Sequence, residues 1–359
     1  MQLAIDGGGI AACAAILTLC QGPLPSSLQI TWGRPADCFA NSPVVVLDGT
    51  AVALITQLTN ALRFPPASHQ LRRHLVAWAN APARVFERPA LAVRWADLYQ
   101  SLVAATEKTA GPRLRCLESS SRESDWTLRS QFHGHDGESI FRRFGGRITV
   151  SAEVPLKPGQ DSGATCMEAV PGGWLHLAPV SERRAVVQAT LPATHGADGQ
   201  TLRDLLATSS HVARRVEREM TPAQVTGSAP GFRYPCHGER WLALGHGAAV
   251  YDPICGDGTA QSIRGGLLAG AVLSFIAQTE DPAAALQHYG KRIRASLATH
   301  LETCRLSYET ACFGSAWQDE LATIRQAPGE LASSTEPFRF RLEGYRLVPV
   351  MPPPARSAQ

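Results

Sequence analysis

The chain opens on a strand, a glycine cluster and a helix in direct succession, and few folds begin that way. Residues 1–15 read Met-Gln-Leu-Ala-Ile-Asp-Gly-Gly-Gly-Ile-Ala-Ala-Cys-Ala-Ala, and the apolar stretch continues to Cys20. Such a run predicts a buried parallel strand turning tightly into a helix, the first step of a dinucleotide-binding βαβ unit. Gly7, Gly9 and Ala12 match G-x-G-x-x-G/A, with Gly8 between them. The first glycine permits the turn, and the second lets a pyrophosphate approach the backbone. The third small residue lets helix pack on strand, with the helix N-terminus facing the phosphates. The bland alternative is a structural glycine turn.

The 359 residues suggest one large or two intimate domains. A hydrophobic fraction of 44% with 18% charged residues suits a protein with a sizeable core. The net charge of +3 comes from 31 scattered Arg and only 3 Lys, which gives no case for nucleic-acid binding. No apolar run reaches membrane-spanning length, and no basic leader precedes the first apolar stretch, so the expected location is the cytoplasm with no membrane partner. Nine cysteines, at 13, 20, 38, 116, 166, 236, 255, 304 and 312, contain no C-x-x-C. They read as reduced thiols rather than a disulfide framework or a zinc site, and no metal is expected.

Along the chain, Leu28 to Trp32 predicts a second strand, running into Trp32-Gly33-Arg34-Pro35 without the acidic residue that ordinarily takes ribose hydroxyls. Arg34 is a candidate for a phosphate or adenine contact, or else a solvated loop arginine. Val44 to Leu47 is a short β-branched run, and residues 51–63 have helical periodicity, stopped by Phe64-Pro65-Pro66. Leu91 to Val93 leads to Arg94, a helix from Trp95 to about Lys108, and a strand at Leu114 to Leu117. Ile148 to Val154, Thr165 to Ala169, Trp174 to Leu177 and Arg184 to Leu191 alternate like an antiparallel sheet. Residues 201–219 read as helix, Gly227–Gly238 as a connecting loop, and 261–278, 283–312 and 316–326 as helices before an extended Pro-rich tail.

A second anion-ready turn follows the strand Trp241–Leu244: Gly245-His246-Gly247-Ala248-Ala249, then Asp252-Pro253-Ile-Cys255-Gly256-Asp257-Gly258 and a helix starting at Thr259. Two such turns suit a long ligand held at two points. Together these motifs resemble the flavin-dependent monooxygenases of the aromatic-hydroxylase and flavin-dependent-halogenase type. Those proteins pair an N-terminal G-x-G-x-x-G with a late G-D-A-A-x-x-x-x-P, a G-x-G loop and a helix. The resemblance covers roughly 1–20, 90–117, 165–192 and 240–320. It implies FAD, with Gly7 to Ala12 at the pyrophosphate, and Gly245 to Ala248 (His246 among them) with Pro253 by the ribityl chain. Gly256, Asp257, Gly258 and Thr259 would lie at the isoalloxazine pyrimidine end. Arg94, with Leu98 and Leu102, matches the R-x-x-[FL]-x-x-x-L element. It further implies an α/β fold: a Rossmann-type FAD-binding domain (1–63, 85–140 and 225–280), an antiparallel substrate domain (64–84 and 141–224) and a C-terminal helical segment (281–359).

The chain departs from that pattern. His246 replaces the aspartate of G-D, the acid after strand two is missing, and the D-A-T-G strand survives only as Gln131-Phe-His-Gly134. Halogenases of this type carry a lysine between the first unit and the arginine element, but residues 50–107 hold none. Their W-x-W-x-I-P is reduced to Trp174-Leu-His176-Leu-Ala-Pro179. The remaining implied chemistry is hydroxylation of an aromatic ring through a flavin C4a-hydroperoxide, with molecular oxygen and a reductant. Asp252-Pro-Ile-Cys-Gly-Asp-Gly-Thr259, with His300-Leu-x-x-Cys304-Arg305 and Tyr308, is similar to the flavoprotein tryptophan hydroxylases that mature cysteine tryptophylquinone in quinohemoprotein amine dehydrogenase. That implies a tryptophan of a partner polypeptide as substrate. The alternatives are a small phenol or indole, or a non-catalytic binding protein on a decayed flavoprotein fold. Asp252 and His246 are the catalytic candidates, against a turn residue and a loop-bonded histidine. Cys255 reads as a small buried thiol. Trp174 and His176 alternate on one strand and so share a face, as candidate substrate-pocket residues.

Overall fold

A computed structural model describes residues 1–23, 27–34, 44–61, 67–79, 81–118, 124–131, 139–196, 198–279, 281–311, 313–331 and 337–350. Cys38, Cys312, the Phe64–Pro66 stop, His133 and Gly134 of the reduced D-A-T-G strand and the Pro352–Pro354 tail lie outside these residues. Seven helices occur among them: α1 (Ile10–Gln21), α2 (Gly49–Thr59), α3 (Trp95–Ala110), α4 (Gly199–Thr208), α5 (Gly258–Ile276), α6 (Ala283–Glu309) and α7 (Gln318–Leu331).

The first strand, Gln2–Asp6, sits at the centre of a five-stranded parallel sheet. Gln29–Gly33 and Leu114–Leu117 extend it on one side, Trp126–Arg129 and Trp241–Ala243 on the other. Every residue of α1 from Ile10 to Leu19 is buried, which is why its sequence shows no polar stripe. It is enclosed by the sheet and by α5, and the α1–α5 crossing depends on small residues. A Cβ at Gly266 would come within 2.3 Å of the Ala11 carbonyl oxygen, and one at Gly270 within 2.8 Å of Thr18 Cβ.

The second sheet has eight strands, in the order Gln224–Gly227, Arg147–Pro155, Arg184–Pro192, Gly173–Pro179, Ala164–Val170, His69–Ala77, Arg84–Arg94 and Val44–Asp48. The four strands expected to pair antiparallel, Arg147–Pro155, Arg184–Pro192, Gly173–Pro179 and Ala164–Val170, do so, and parallel pairing occurs where Ala164–Val170 meets His69–Ala77. The sheet is rolled: Val44 and Ala92 at one end share a buried cluster with Ala178 and Val186. Both Val44–Asp48 and Arg84–Arg94 pair into this sheet, so it takes strands from inside the 1–63 and 85–140 segments expected in the FAD-binding domain.

Two further expectations are corrected. The helix expected over 201–219 ends at Thr208, because the buried Glu168 carboxylate captures the chain beyond it. Glu168 accepts the backbone N–H groups of Ser210, His211 and Val212 and the hydroxyl of Ser209. Burial raises the Glu168 pKa, but those donors outweigh it and the net shift is downward. The loop expected at Gly227–Gly238 contains the strand Gly231–Tyr234, which pairs with Ile140–Arg143 and Ala249–Val250. At the C-terminal end, the hairpin of Phe340–Glu343 and Arg346–Pro349 sends Phe340 and Leu347 into the core around α5. No helix among the described residues is long and apolar enough to cross a membrane.

Candidate active site

The two glycine turns meet. Gly7 and Gly9 have φ of 91° and 100°, a region that side chains with a Cβ rarely enter. The Trp32 indole N–H donates to the Gly7 carbonyl at 2.9 Å, and the Gly7 N–H donates to Gly33 O at 2.9 Å, so the second strand holds the first turn. The second turn lies directly against it. A Cβ on Gly245 would be 2.9 Å from Ala11 Cβ, and Gly247 donates its N–H to Ser130 O at 3.0 Å. A Cβ on Gly7 would in turn strike Ser130 Oγ. Ser130 and Gln131, the latter opening the Gln131–Gly134 segment, are thus wedged between the two turns.

Both helix starts nearby are open. Helix α1 is capped by Gly9 with no side-chain cap and no acidic residue in its first turn, which leaves its leading N–H groups for an anion. Helix α5 begins at Gly258 behind Asp257, again without a side-chain cap bond, and a Cβ at Gly256 or Gly258 would meet nothing within 4 Å. Ala12 is buried in α1, and Thr259 is half-buried in the first turn of α5. This is room for an elongated, partly anionic ligand.

The flanking arginines are held by carboxylates. Arg34 lies over the Trp32 ring at 5.2 Å and 3.7 Å from Glu107 of α3. Arg94 places Nη2 2.8 Å from Glu153, which also binds Arg184. Glu153 is raised by burial, but the two guanidinium groups lower it further.

A cavity opens inside the rolled sheet and is closed below by the turn Pro253–Gly256. Trp174 and His176 both line it, as their alternation on one strand requires, beside Thr165, Gln188, His74 and Arg88. His74, Thr165 and Gln188 were not singled out from sequence. Burial, then His176 and Arg88, pushes the His74 pKa down to about 4. Burial also lowers His176, against a bond to Gln188 at 3.3 Å. Both rings are neutral at pH 7, and His74 is hydrogen-bonded to the Thr165 hydroxyl.

Asp252 does not line this cavity. Its Oδ1 accepts the Tyr308 hydroxyl at 2.7 Å and the Ile254 N–H at 2.9 Å, and its Oδ2 accepts Arg147 Nε at 2.8 Å. Arg147 also binds Glu320 of α7. Tyr308 accepts the Trp174 indole N–H at 3.3 Å, so the network reaches the cavity wall. These bonds tie Asp252 to the turn, to the sheet and to α6. His246 is exposed and lies outside the cavity lining. The same turn carries Cys255, whose Sγ lies 4.0 Å from that of Cys304 on α6, a meeting that sequence spacing did not reveal.

No family model matches the sequence, and no curated protein matches it. Solved structures do. The peptidyl tryptophan dihydroxylase QhpG, essential for tryptophylquinone cofactor biogenesis, superposes with a TM-score of 0.74 at 17% identity, covering 97% of this chain and 86% of that one. This chain has its fold. The flavin-dependent brominase Bmp2 gives a TM-score of 0.69 at 13% identity, over 92% and 99% of the two chains. A single-site variant of HpxO from Klebsiella pneumoniae, complexed with FAD, gives 0.65 at 16% identity over 92% and 94%.

Proposed function

We propose that this protein is an FAD-dependent monooxygenase that hydroxylates an aromatic ring, with a tryptophan of a partner polypeptide as its substrate. One observation carries the reading: two glycine turns abut at Ser130, and the second continues into the turn that floors a cavity lined by Trp174, His176 and His74. Gly7, Gly8, Gly9 and Ala12 with the α1 N-terminus would hold the pyrophosphate. Gly245, His246 and Pro253 would follow the ribityl chain, and Gly256 to Thr259 would meet the pyrimidine end of the flavin. Arg34 and Glu107 would serve the adenosine half. Reduced FAD supplies the activation of molecular oxygen. The protein's part is to orient the ring and keep water out, through Trp174, Met167 and the neutral pair His74 and His176.

A polypeptide substrate is favoured by the cavity rim. Phe86 stands opposite His74 in register and so shares its face of the sheet, as does the cavity-lining Arg88. Phe86 is 47% exposed on that face, an apolar contact beyond the cavity lining. The likeness to QhpG points the same way.

The test is to supply FAD, a reductant and oxygen, and offer tryptophan-containing peptides alongside free indoles and phenols. Oxygen incorporated into peptidyl tryptophan, read by mass spectrometry, supports the proposal. Turnover of the free ring alone replaces it with a small-molecule hydroxylase. Flavin binding without any oxygenation would leave a non-catalytic binder.

A further inference from the structure

We propose that Cys255 and Cys304 are a peroxide-oxidised dithiol, in which Cys255 takes the first oxidation and Cys304 closes a disulfide behind it. Cys255 is half-buried and lines the cavity, whereas Cys304 is buried on α6 with its Sγ 4.0 Å away. A small oxidant in the cavity therefore meets Cys255 first. Cys304 waits as the resolving thiol.

His300, one turn before Cys304 on α6, completes the cluster, with one ligand-type atom each of Cys255, His300 and Cys304 within 4.8 Å of one another. That donor set also suits a metal, which would compete with a disulfide for the same two sulfurs. Nε2 of His300 accepts the Asp252 N–H at 2.8 Å, and Nδ1 faces Asp257 Oδ1 at 3.6 Å, beyond hydrogen-bond distance. The two thiols also shift in opposite directions: Cys304, and then His300, lower the Cys255 pKa against burial. Cys304 is raised by the same neighbour and by burial. The thiolate is the attacking form.

The chemistry balances with one hydrogen peroxide. The Cys255 thiolate attacks one peroxide oxygen, the O–O bond breaks, and the departing hydroxide takes a proton to leave as water. Cys304 Sγ then attacks Cys255 Sγ, the S–O bond breaks, and a second water leaves. Two thiols are oxidised to a disulfide while one peroxide is reduced to two waters. Closing the sulfurs from 4.0 Å to the ~2.0 Å of a disulfide draws the cavity floor towards α6. A flavin site that leaks peroxide would thereby change the shape of its own substrate cavity.

The inference stands on the two sulfurs and not on the flavin, because the peroxide can be added directly. Reduced full-length protein is treated with one equivalent of hydrogen peroxide, alkylated, digested and mapped by mass spectrometry. The expected product is a Cys255–Cys304 disulfide formed ahead of any oxidation of the exposed Cys116. In Cys304→Ser, Cys255 should instead stop at a sulfenic acid that dimedone traps. Wild-type protein in which Cys255 and Cys304 both remain alkylatable after Cys116 has oxidised would overturn the proposal, whether or not the variant folds.

Discussion

Arg147 and Asp252 meet with Nε 2.8 Å from Oδ2, both side chains wholly shielded from water. Arg147 lies on the rolled sheet and Asp252 begins the turn beneath the cavity, so one ion pair fixes the two halves of the site against each other. Removing Asp252 strips the buried guanidinium of one of its two carboxylate partners and leaves Glu320. Asp252→Ala should therefore lower the unfolding free energy by about 3–5 kcal/mol, with Asp252→Asn costing less because it keeps acceptor capacity. Urea unfolding measures both. A stable Asp252→Ala protein with normal folding and no turnover would instead return Asp252 to the chemistry.

The α1–α5 seam makes a second, sharper contrast. A Cβ at Gly266 would collide with the backbone of Ala11, while one at the adjacent Gly265 meets nothing within 4 Å. Gly266→Leu should cost about 3 kcal/mol or more through overpacking against backbone. Gly265→Ala should be neutral or stabilise by up to about 1 kcal/mol, since alanine outranks glycine in a helix. Thermal melts of the two variants separate them, and equal effects would mean the helices do not cross at Gly266.

Glu168 gives the third prediction. Glu168→Ala strips the partner from the N–H groups of Ser210, His211 and Val212, and should cost about 3 kcal/mol or more. Hydrogen exchange should show those amides losing protection before the strand that carries Glu168. Unchanged exchange at 210–212 would show that something else holds this segment.

That carboxylate also shows where sequence reading reached its limit. The helical pattern beyond Leu206 is real, yet it yields to a tertiary acceptor more than 40 residues away in the chain. Likewise, Cys255 and Cys304 were separate thiols until the fold joined them. The first turn and Gly245–Thr259 were legible because glycine spacing between a strand and a helix is a local signal. Trp174 and His176 were legible because alternation is local too. His74 was not: its strand bears exposed Arg72 and Arg73, and a register shift between Leu71 and Arg73 interrupts the alternation.

The cavity histidines carry a pH signature. His74 has its pKa near 4 in the fold against an ordinary 6.5, so the unfolded chain takes up its proton first as pH falls. Its contribution is fully present above about 6.5 and is lost as pH drops towards about 4. His74→Gln should flatten the loss of stability between those values, as read by urea midpoints along a pH series. An unaltered slope would mean that the ring is solvated.

Whether the two glycine turns hold FAD is read from the visible absorption of the purified protein titrated with the cofactor. Wild-type protein should bind one FAD per chain and show the two visible flavin bands after desalting. Gly9→Val, which fills the approach of the pyrophosphate at φ 100°, should fold with the same circular dichroism and elute colourless. A wild-type protein that stays colourless, or a Gly9→Val protein that keeps its flavin, would show that the first turn does not hold FAD.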